Sequence, residues 1–371
     1  MNQKTSIVHV ITGLETGGAE HVLASLALEK IRVGEHPLVV SLVDGGSQFD
    51  KLRTAGCRVI GLGMRRGQPS FKALMRLVRI IKCEKPLVIQ SWMYHADIAA
   101  LLAVYLSGRR SCTKLFWGIR CSDMDGSRYR YLRGVCSWLS KYPDGIIANS
   151  HSGLKFHTEV LGYRPKRTAV IPNFFDTERY CFRESARSRI RRELGLDEND
   201  FVIAAVARVD AMKDYPNFLS ALEEIEGVTA LAIGKGTETL PVTQGLIVLG
   251  ERDDIPDLLS AIDVLVSASA FGEGFSNVIG EAMACQRAVI ATNVGDADSL
   301  VGSAGIIVPP SSPLLLAEAI ARLQHDEKLA RSMGHLGRER IIAEYRLERA
   351  VAAFQAVYGY SKKNEKCLEN H

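Results

Sequence analysis

Short apolar runs alternate with amphipathic segments along most of the chain. That alternation constrains the fold more than any other feature of the sequence. The first series of strand-like runs covers residues 7–12, 38–43, 58–62, 87–90, 114–117, 145–148 and 169–171. A second covers 201–207, 229–233, 245–249, 264–267, 288–291 and 305–308. Helix-like segments fill the gaps, among them 19–30, 71–82 and 346–358. Strand, helix and strand in regular succession are the pattern of βαβ units, whose crossover helices cover both faces of a parallel sheet. At 371 residues the chain exceeds the size at which a single core keeps growing. The two series therefore predict an α/β protein of two doubly wound parallel-sheet domains. The basic stretch Arg187, Arg189, Arg191 and Arg192 reads as a linker, with the join near 172–185. The expected division is a first domain over 1–175, a second over 176–345, a closing helix over 346–360 and a disordered tail over 361–371.

Composition excludes several classes. Hydrophobic residues make up 47% and charged residues 24%, as in ordinary globular proteins. A net charge of +4 with no recognised binding motif does not point to nucleic acid. Eight cysteines are scattered without a C-x-x-C pair, which speaks against a zinc site or a disulfide framework. The start of the sequence lacks a secretory pattern. The longest apolar run, 98–106, is well short of the roughly 18 residues that span a bilayer. A soluble or peripheral cytoplasmic protein is the expectation.

Functional chemistry concentrates at 270–286. There a loop with Gly272, Glu273 and Gly274 follows an apolar run and opens into a helix predicted over 278–285. Glu273 lies on the loop and Glu281 in the first turn of that helix. Glycines let backbone approach a ligand, a helix start offers free N–H groups to anions, and carboxylates accept hydroxyl hydrogens of a sugar or ribose diol. Near the N-terminus, Gly13, Gly17 and Gly18 follow a strand and precede a helix, without the G-x-G-x-x-G spacing of nicotinamide sites. His95 stands just past a parallel strand, where α/β active sites form. Arg208 and Lys213, five positions apart after another strand, suit a diphosphate. Taken singly, each of these is equally a plain turn, a structural histidine or a solvated ion pair. Asp123-Met124-Asp125 and Asp296-Ala297-Asp298 mimic metal-holding D-x-D pairs but carry little information.

The helix at 71–82 places Phe71, Leu74, Val78 and Ile81 on one face and Lys72, Arg76 and Arg79 on another. The apolar stripe is expected to pack on the sheet. Residues 101–141 add Arg109, Arg110, Lys114, Arg120, Arg128, Arg130, Arg133 and Lys141 against only Asp123 and Asp125, with Tyr129, Tyr131 and Trp138 between them. Basic charge interleaved with aromatics in the first domain is compatible with an anionic membrane surface.

In order along the chain, these pieces resemble the family 4 glycosyltransferases, retaining enzymes of the GT-B fold. The segment EGFSNVIGEAMA is similar to the family's Glu–seven residues–Glu signature. GLETGGAE, QSWMYHAD, WGIR at 117–120, ANS at 148–150, VIPN at 170–173, LGERDDIPDLLSAIDV at 249–264 and ATNVGD at 291–296 add to the likeness. The resemblance implies two Rossmann-like domains facing a central cleft. A nucleotide sugar, in the first place a UDP-sugar, would bind mainly to the second domain and a glycan acceptor to the first. It implies that Glu281 accepts ribose hydroxyls, that Glu273 contacts the transferred sugar and that backbone amides over Phe275, Ser276, Asn277 and Val278 support sugar and phosphate. Arg208 and Lys213 would neutralise the leaving diphosphate in place of a metal, so no cofactor is expected. Gly17 and Gly18 would close over the phosphates, His95 would lie near the reacting sugar, Arg252 would pass the base, and the last helix would cross back to the first domain. Phe174-Phe175-Asp176 departs from the Asn-Gly-x-Asp of many members, and ACQRAV lacks their Gly-x-Pro. The expected activity is retaining transfer to a lipid-linked glycan in bacterial surface polysaccharide assembly, on the inner face of the cytoplasmic membrane. A nucleotide-sugar epimerase of the same architecture and a non-catalytic nucleotide-sugar-binding subunit are the alternatives. A glycosidase acting through Glu273 and Glu281 leaves the Arg208/Lys213 pair without a role.

Overall fold

A computed structural model describes residues 5–15, 17–65, 67–122 and 126–359. The Asp123–Asp125 motif, the tail 361–371 and the side chains of Arg128 and Tyr129 lie outside the described residues. The chain forms two compact units. One runs to Asn173 and resumes at Leu347, and the other is Phe174–Arg346.

The first unit holds seven strands: β1 (Ile7–Ile11), β2 (Leu38–Ser41), β3 (Arg58–Gly61), β4 (Val88–Trp92), β5 (Lys114–Ile119), β6 (Gly145–Ala148) and β7 (Thr168–Val170). They pair in parallel in the order β3-β2-β1-β4-β5-β6-β7. The second unit holds β8 (Phe201–Val206), β9 (Val228–Ile233), β10 (Leu246–Gly250), β11 (Val264–Ser267), β12 (Ala288–Thr292) and β13 (Gly305–Val308). Their order is β10-β9-β8-β11-β12-β13, again parallel. Both are doubly wound α/β sheets. Strands β1, β2, β4, β6 and β12 are buried at every position, because helices cover both faces. That is why these strands read as continuous apolar runs. In each sheet the strand order reverses once, between β1 and β4 and between β8 and β11. The crevice beyond the C-terminal strand ends at such a point is where open α/β sheets bind ligands.

The first sheet is completed by the helix Leu347–Tyr358. Its stripe of Ala350, Val351, Phe354 and Tyr358 is buried. The Tyr358 hydroxyl donates to Gln90 Oε1 at 3.3 Å, and Lys114 Nζ donates to the Tyr358 carbonyl at 2.9 Å. The crossing at Asn173/Phe174 is followed by two buried phenylalanines, Phe174 and Phe175. Asp176 then closes a turn by accepting from the amides of Glu178 and Arg179 at 3.1 and 2.9 Å. The departure at Phe174-Phe175-Asp176 thus puts two buried rings at the start of the second unit and a turn-closing carboxylate on its surface.

Two expectations require correction. The basic stretch is no linker, since Glu184–Glu193 is a helix of the second unit. Arg191 is 1% exposed, donating to Asp263 Oδ2 at 2.9 Å and to the carbonyls of Ala261 and Asp197 at 2.9 and 2.7 Å. Arg187 donates to the other Asp263 oxygen at 2.9 Å. A guanidinium with this many acceptors can be buried, and its partners are distant in sequence. On the helix Phe71–Glu84, Ala73, Leu77, Val78 and Ile81 form the buried face, whereas Phe71 is 75% exposed. Ser70 caps this helix by accepting from the Ala73 amide at 3.2 Å, which leaves Phe71 at its open first position. Among the described residues no helix is long and apolar enough to cross a membrane, and the seven described cysteines are free.

Candidate active site

In the second unit the site begins where β8 and β11 end. After β8 the chain passes Arg208 and makes one helical turn, Ala211–Lys213. Asp210 caps that turn by accepting from the Met212 amide at 2.9 Å, and its second oxygen takes Arg208 Nε at 3.0 Å. These two bonds, the Met212 amide first, hold the Asp210 carboxyl below the ordinary carboxylate range. The loop after β11 is tied to the same turn, since the Ala270 amide donates to the Met212 carbonyl at 2.8 Å. Lys213 forms an ion pair with Glu273 Oε1. Ser269 Oγ donates to the same oxygen at 3.1 Å. Lys213, Ser269 and Glu273 therefore form one cluster at the switch point, while Arg208 stands beside it, 59% exposed.

The loop is braced from β12. The Asp296 amide donates to the Gly274 carbonyl at 3.0 Å, and Thr292 Oγ1 donates to the Ser269 carbonyl at 2.5 Å. Gly295 has φ +66°, and a Cβ there would meet the Glu273 carbonyl oxygen at 2.5 Å. The backbone that carries Glu273 thus runs against backbone that only glycine allows.

The helix Asn277–Ala284 starts one residue earlier than expected, which puts Glu281 just beyond its first turn. Burial pushes the Glu281 carboxyl up to about 7, even though the Tyr180 hydroxyl and Arg179 favour its charged form. The residue as a whole is half-buried, with Tyr180 and Arg179 beside its carboxyl. Phe275 is a core residue, stacked on Phe175 with centroids 6.2 Å apart and packed against Tyr345. Ser276 is also buried, while Asn277 and Val278 are half-buried. Phe275 can therefore serve a ligand through its backbone only.

Gly280 faces the Phe175 ring so closely that a Cβ would meet its atoms at 2.0–2.6 Å. Alanine is the better helix former by about 0.5–1 kcal/mol, yet the ring is stacked in the core and has no room to yield. Gly280→Ala should destabilise the chain by about 1–3 kcal/mol, read as a lower unfolding midpoint. A stabilised variant would mean that the ring can move aside.

Arg252 donates to both Asp254 oxygens, at 2.8 and 2.7 Å, and to Glu193 at 3.1 Å. These bonds hold its guanidinium charged.

In the first unit, His95 is the second residue of the helix Tyr94–Leu106 that follows β4. Burial lowers its pKa from the ordinary value, so the imidazole is neutral near pH 7. Gly17 precedes and Gly18 begins the helix Gly18–Arg32 after β1. His95, Thr12, Gly13 and Glu20 of that helix line one cleft at the switch point of the first sheet. Sequence reasoning missed Ser269, Tyr180 and Glu20. Ser269 directly precedes the signature loop and was within reach of a spacing argument. The contact of Tyr180 with Glu281 spans a hundred residues and left no local signal.

Two parallel sheets with these loops at their switch points define a two-domain α/β protein of the kind that binds nucleotides at strand ends. Comparisons with known proteins narrow the class. The family model for glycosyl transferases group 1 matches residues 200–326, and that for glycosyltransferase family 4 matches residues 16–179. The chain belongs to this family 4, group 1, GT-B glycosyltransferase family.

Three similar proteins illustrate it. The N-acetyl-alpha-D-glucosaminyl L-malate synthase of Bacillus anthracis is 26% identical over 229 residues, 58% of this chain and 59% of that protein. The UDP-Gal:alpha-D-GlcNAc-diphosphoundecaprenol alpha-1,3-galactosyltransferase of Escherichia coli is 23% identical over 310 residues, 78% and 79% of the two chains. The crystal structure of Anabaena Alr3699/HepE in complex with UDP superimposes with a TM-score of 0.82 at 22% identity, over 96% of this chain and 100% of that one, a likeness of fold. The match spans little more than half of the first relative's length.

Proposed function

We propose that the chain is a retaining, metal-independent hexosyltransferase. It would move a sugar from a nucleoside diphosphate, in the first place UDP, to a lipid-linked glycan in bacterial surface polysaccharide assembly. The observation that carries this reading is the Lys213–Glu273–Ser269 cluster at the β8/β11 switch point. Lys213 has three N–H donors and Glu273 occupies one, so the ammonium can hold Glu273 and a phosphate oxygen together. Arg208 keeps its terminal guanidinium nitrogens for the same diphosphate. Glu273, oriented by Lys213 and Ser269, would meet a hydroxyl of the transferred sugar. Glu281 would take the ribose diol.

In the reaction the bond from the anomeric carbon to the diphosphate oxygen breaks as the acceptor oxygen bonds that carbon from the same face. The acceptor's proton passes to the departing phosphate oxygen. Lys213 and Arg208 stabilise the charge gained by the diphosphate. A neutral His95 serves as a hydrogen-bond partner of the sugar rather than as a cation.

The Escherichia coli relative, named for a UDP-sugar donor and a diphosphoundecaprenol-linked acceptor, supports this choice of donor and acceptor class. Membrane contact belongs to the same reading, with fewer cations than the sequence offers. Arg110 is paired with Asp144 at 3.0 Å, the Arg120 guanidinium lies 4.3 Å over Trp92, and Arg133 lies 5.0 Å over Phe156. Lys72, Arg79, Arg130 and Lys141 stay exposed, beside Tyr131 and Trp138.

A screen of nucleoside diphosphate sugars for thermal stabilisation tests the donor. At a hundred times its Kd the right ligand adds about 2.7 kcal/mol, an upward shift of a few degrees. If no nucleoside diphosphate sugar raises the midpoint, the reading is wrong.

A further inference from the structure

A cleft of about 1050 Å³ opens in the first unit past the C-terminal ends of β1 to β4. Its floor is Leu42, Leu62, Ala73 and Leu77, none more than 3% exposed. Its walls include Leu74, Ile98 and Ala99, which pack on the core and also face the cleft. Its rim carries Phe71, Leu102 and Tyr131, which are 75%, 43% and 83% exposed. A sugar seated on this apolar floor, away from Thr12, Glu20 and His95, would leave most hydroxyls without partners, and each unpartnered one opposes binding. A hydrocarbon chain asks for no partners.

The polar groups are a minority of mixed kind. Thr12, Glu20, Arg65, Gln68, Ser70 and His95 line the cleft beside Tyr94 and Tyr131, and Lys72 follows Phe71 on the rim helix. Apolar depth beside a basic rim complements an amphiphile with a phosphate next to a long chain. The Escherichia coli relative is named for an acceptor of that chemistry.

We infer that this cleft seats the hydrocarbon chain of a lipid-linked diphosphate acceptor, with Arg65 facing its phosphate. The inference rests on the proposed lipid-linked acceptor and adds the site that holds it. It also explains Phe71, an aromatic left exposed at the first position of a helix whose next turns are buried.

The test is calorimetric titration of the full chain with farnesyl diphosphate, inorganic diphosphate and lysophosphatidylglycerol. Farnesyl diphosphate should bind at least about tenfold more tightly than inorganic diphosphate, the effect of removing roughly two methylene groups from water. Ala99→Trp, which projects an indole from the cleft wall into its apolar part, should weaken farnesyl diphosphate by at least about tenfold, with the UDP affinity unchanged. Leu102→Glu, at an exposed position that folding tolerates, should weaken it in the same direction.

Equal affinity for the two diphosphates would overturn the assignment. So would unchanged binding in both variants. Lysophosphatidylglycerol bound as tightly and with the same sensitivity would make the cleft a site for bulk membrane lipid. Should a lipid-linked glycan be turned over equally by wild type and both variants, the acceptor reading stands and the cleft assignment falls. A wild type that transfers only to water-soluble acceptors would remove the acceptor reading, and the assignment with it.

Discussion

Replacing Lys213 by Ala is expected to lower kcat by about two to three orders of magnitude, the usual effect of losing one donor to charge that develops in a transition state. The Michaelis constant for the donor should change less, because the diphosphate gains its extra charge only as the glycosidic bond breaks. The same substitution removes the partner of Glu273, whose side chain is only 14% exposed. A loss of stability should therefore accompany the loss of rate, and the two effects need separating. In the double variant Lys213→Ala with Glu273→Gln the carboxylate charge that faced Lys213 is gone as well, so part of the stability should return. The rate should not return, because no cation faces the diphosphate. Steady-state kinetics with the stabilising nucleotide sugar, alongside thermal unfolding, distinguishes the two. Unchanged turnover in Lys213→Ala would end the leaving-group role.

Nucleotide-sugar affinity is expected to rise about tenfold between about pH 6 and pH 8 and to lose that dependence in Glu281→Gln. Burial lifts the Glu281 carboxyl from its ordinary 4.5 to about 7. The folded chain thus prefers this group neutral. Below about pH 4.5 the group is neutral folded and unfolded, and it costs nothing. Between about pH 4.5 and 7 the unfolded chain ionises first, and stability falls with rising pH. Above about pH 7 the loss levels off at about 3 kcal/mol.

A ribose diol reverses the preference, because two hydroxyl donors favour the carboxylate. Binding then releases a proton below about pH 7 and strengthens as pH rises through it. Glu281→Gln should weaken the donor by about 10–100-fold at about pH 8. It should also make the chain without nucleotide more stable there, since the buried charge is gone. Calorimetry of a nucleotide sugar across this range reads the affinity, and chemical denaturation reads the stability. A pH-flat wild type would separate Glu281 from the ribose.

Where a residue's fate depended on its neighbours in sequence, it was legible. Strands at 145–148 and 264–267 lie where the apolar runs place them, because strands covered on both faces cannot hide their pattern. The signature loop announced itself through glycines and paired carboxylates at fixed spacing. Residues whose partners are remote in sequence were not legible. Arg187 and Arg191 read as part of a basic linker until Asp263, more than seventy residues away, is seen between them. Phe71 fitted an apolar stripe, but the capped helix start keeps it off the sheet. Glu273 carried a signal of function but none of its tie to Lys213, because that pair joins loops from two strands that neighbour in the sheet and not in the chain. Tyr180 and Glu281 meet only through the packing of the crossing segment under the signature helix.

Transfer with retention from a nucleoside diphosphate is the central claim, and acceptor-dependent release of UDP tests it most directly. The purified chain is mixed with the nucleotide sugar that stabilises it and a lipid-linked glycan. UDP release and the anomeric configuration of the new linkage are then followed by proton NMR. The prediction is UDP release that requires the acceptor, no dependence on added divalent metal, and a product linkage with the donor's own configuration. Inverted configuration would contradict it, as would conversion of the nucleotide sugar to an isomer without acceptor.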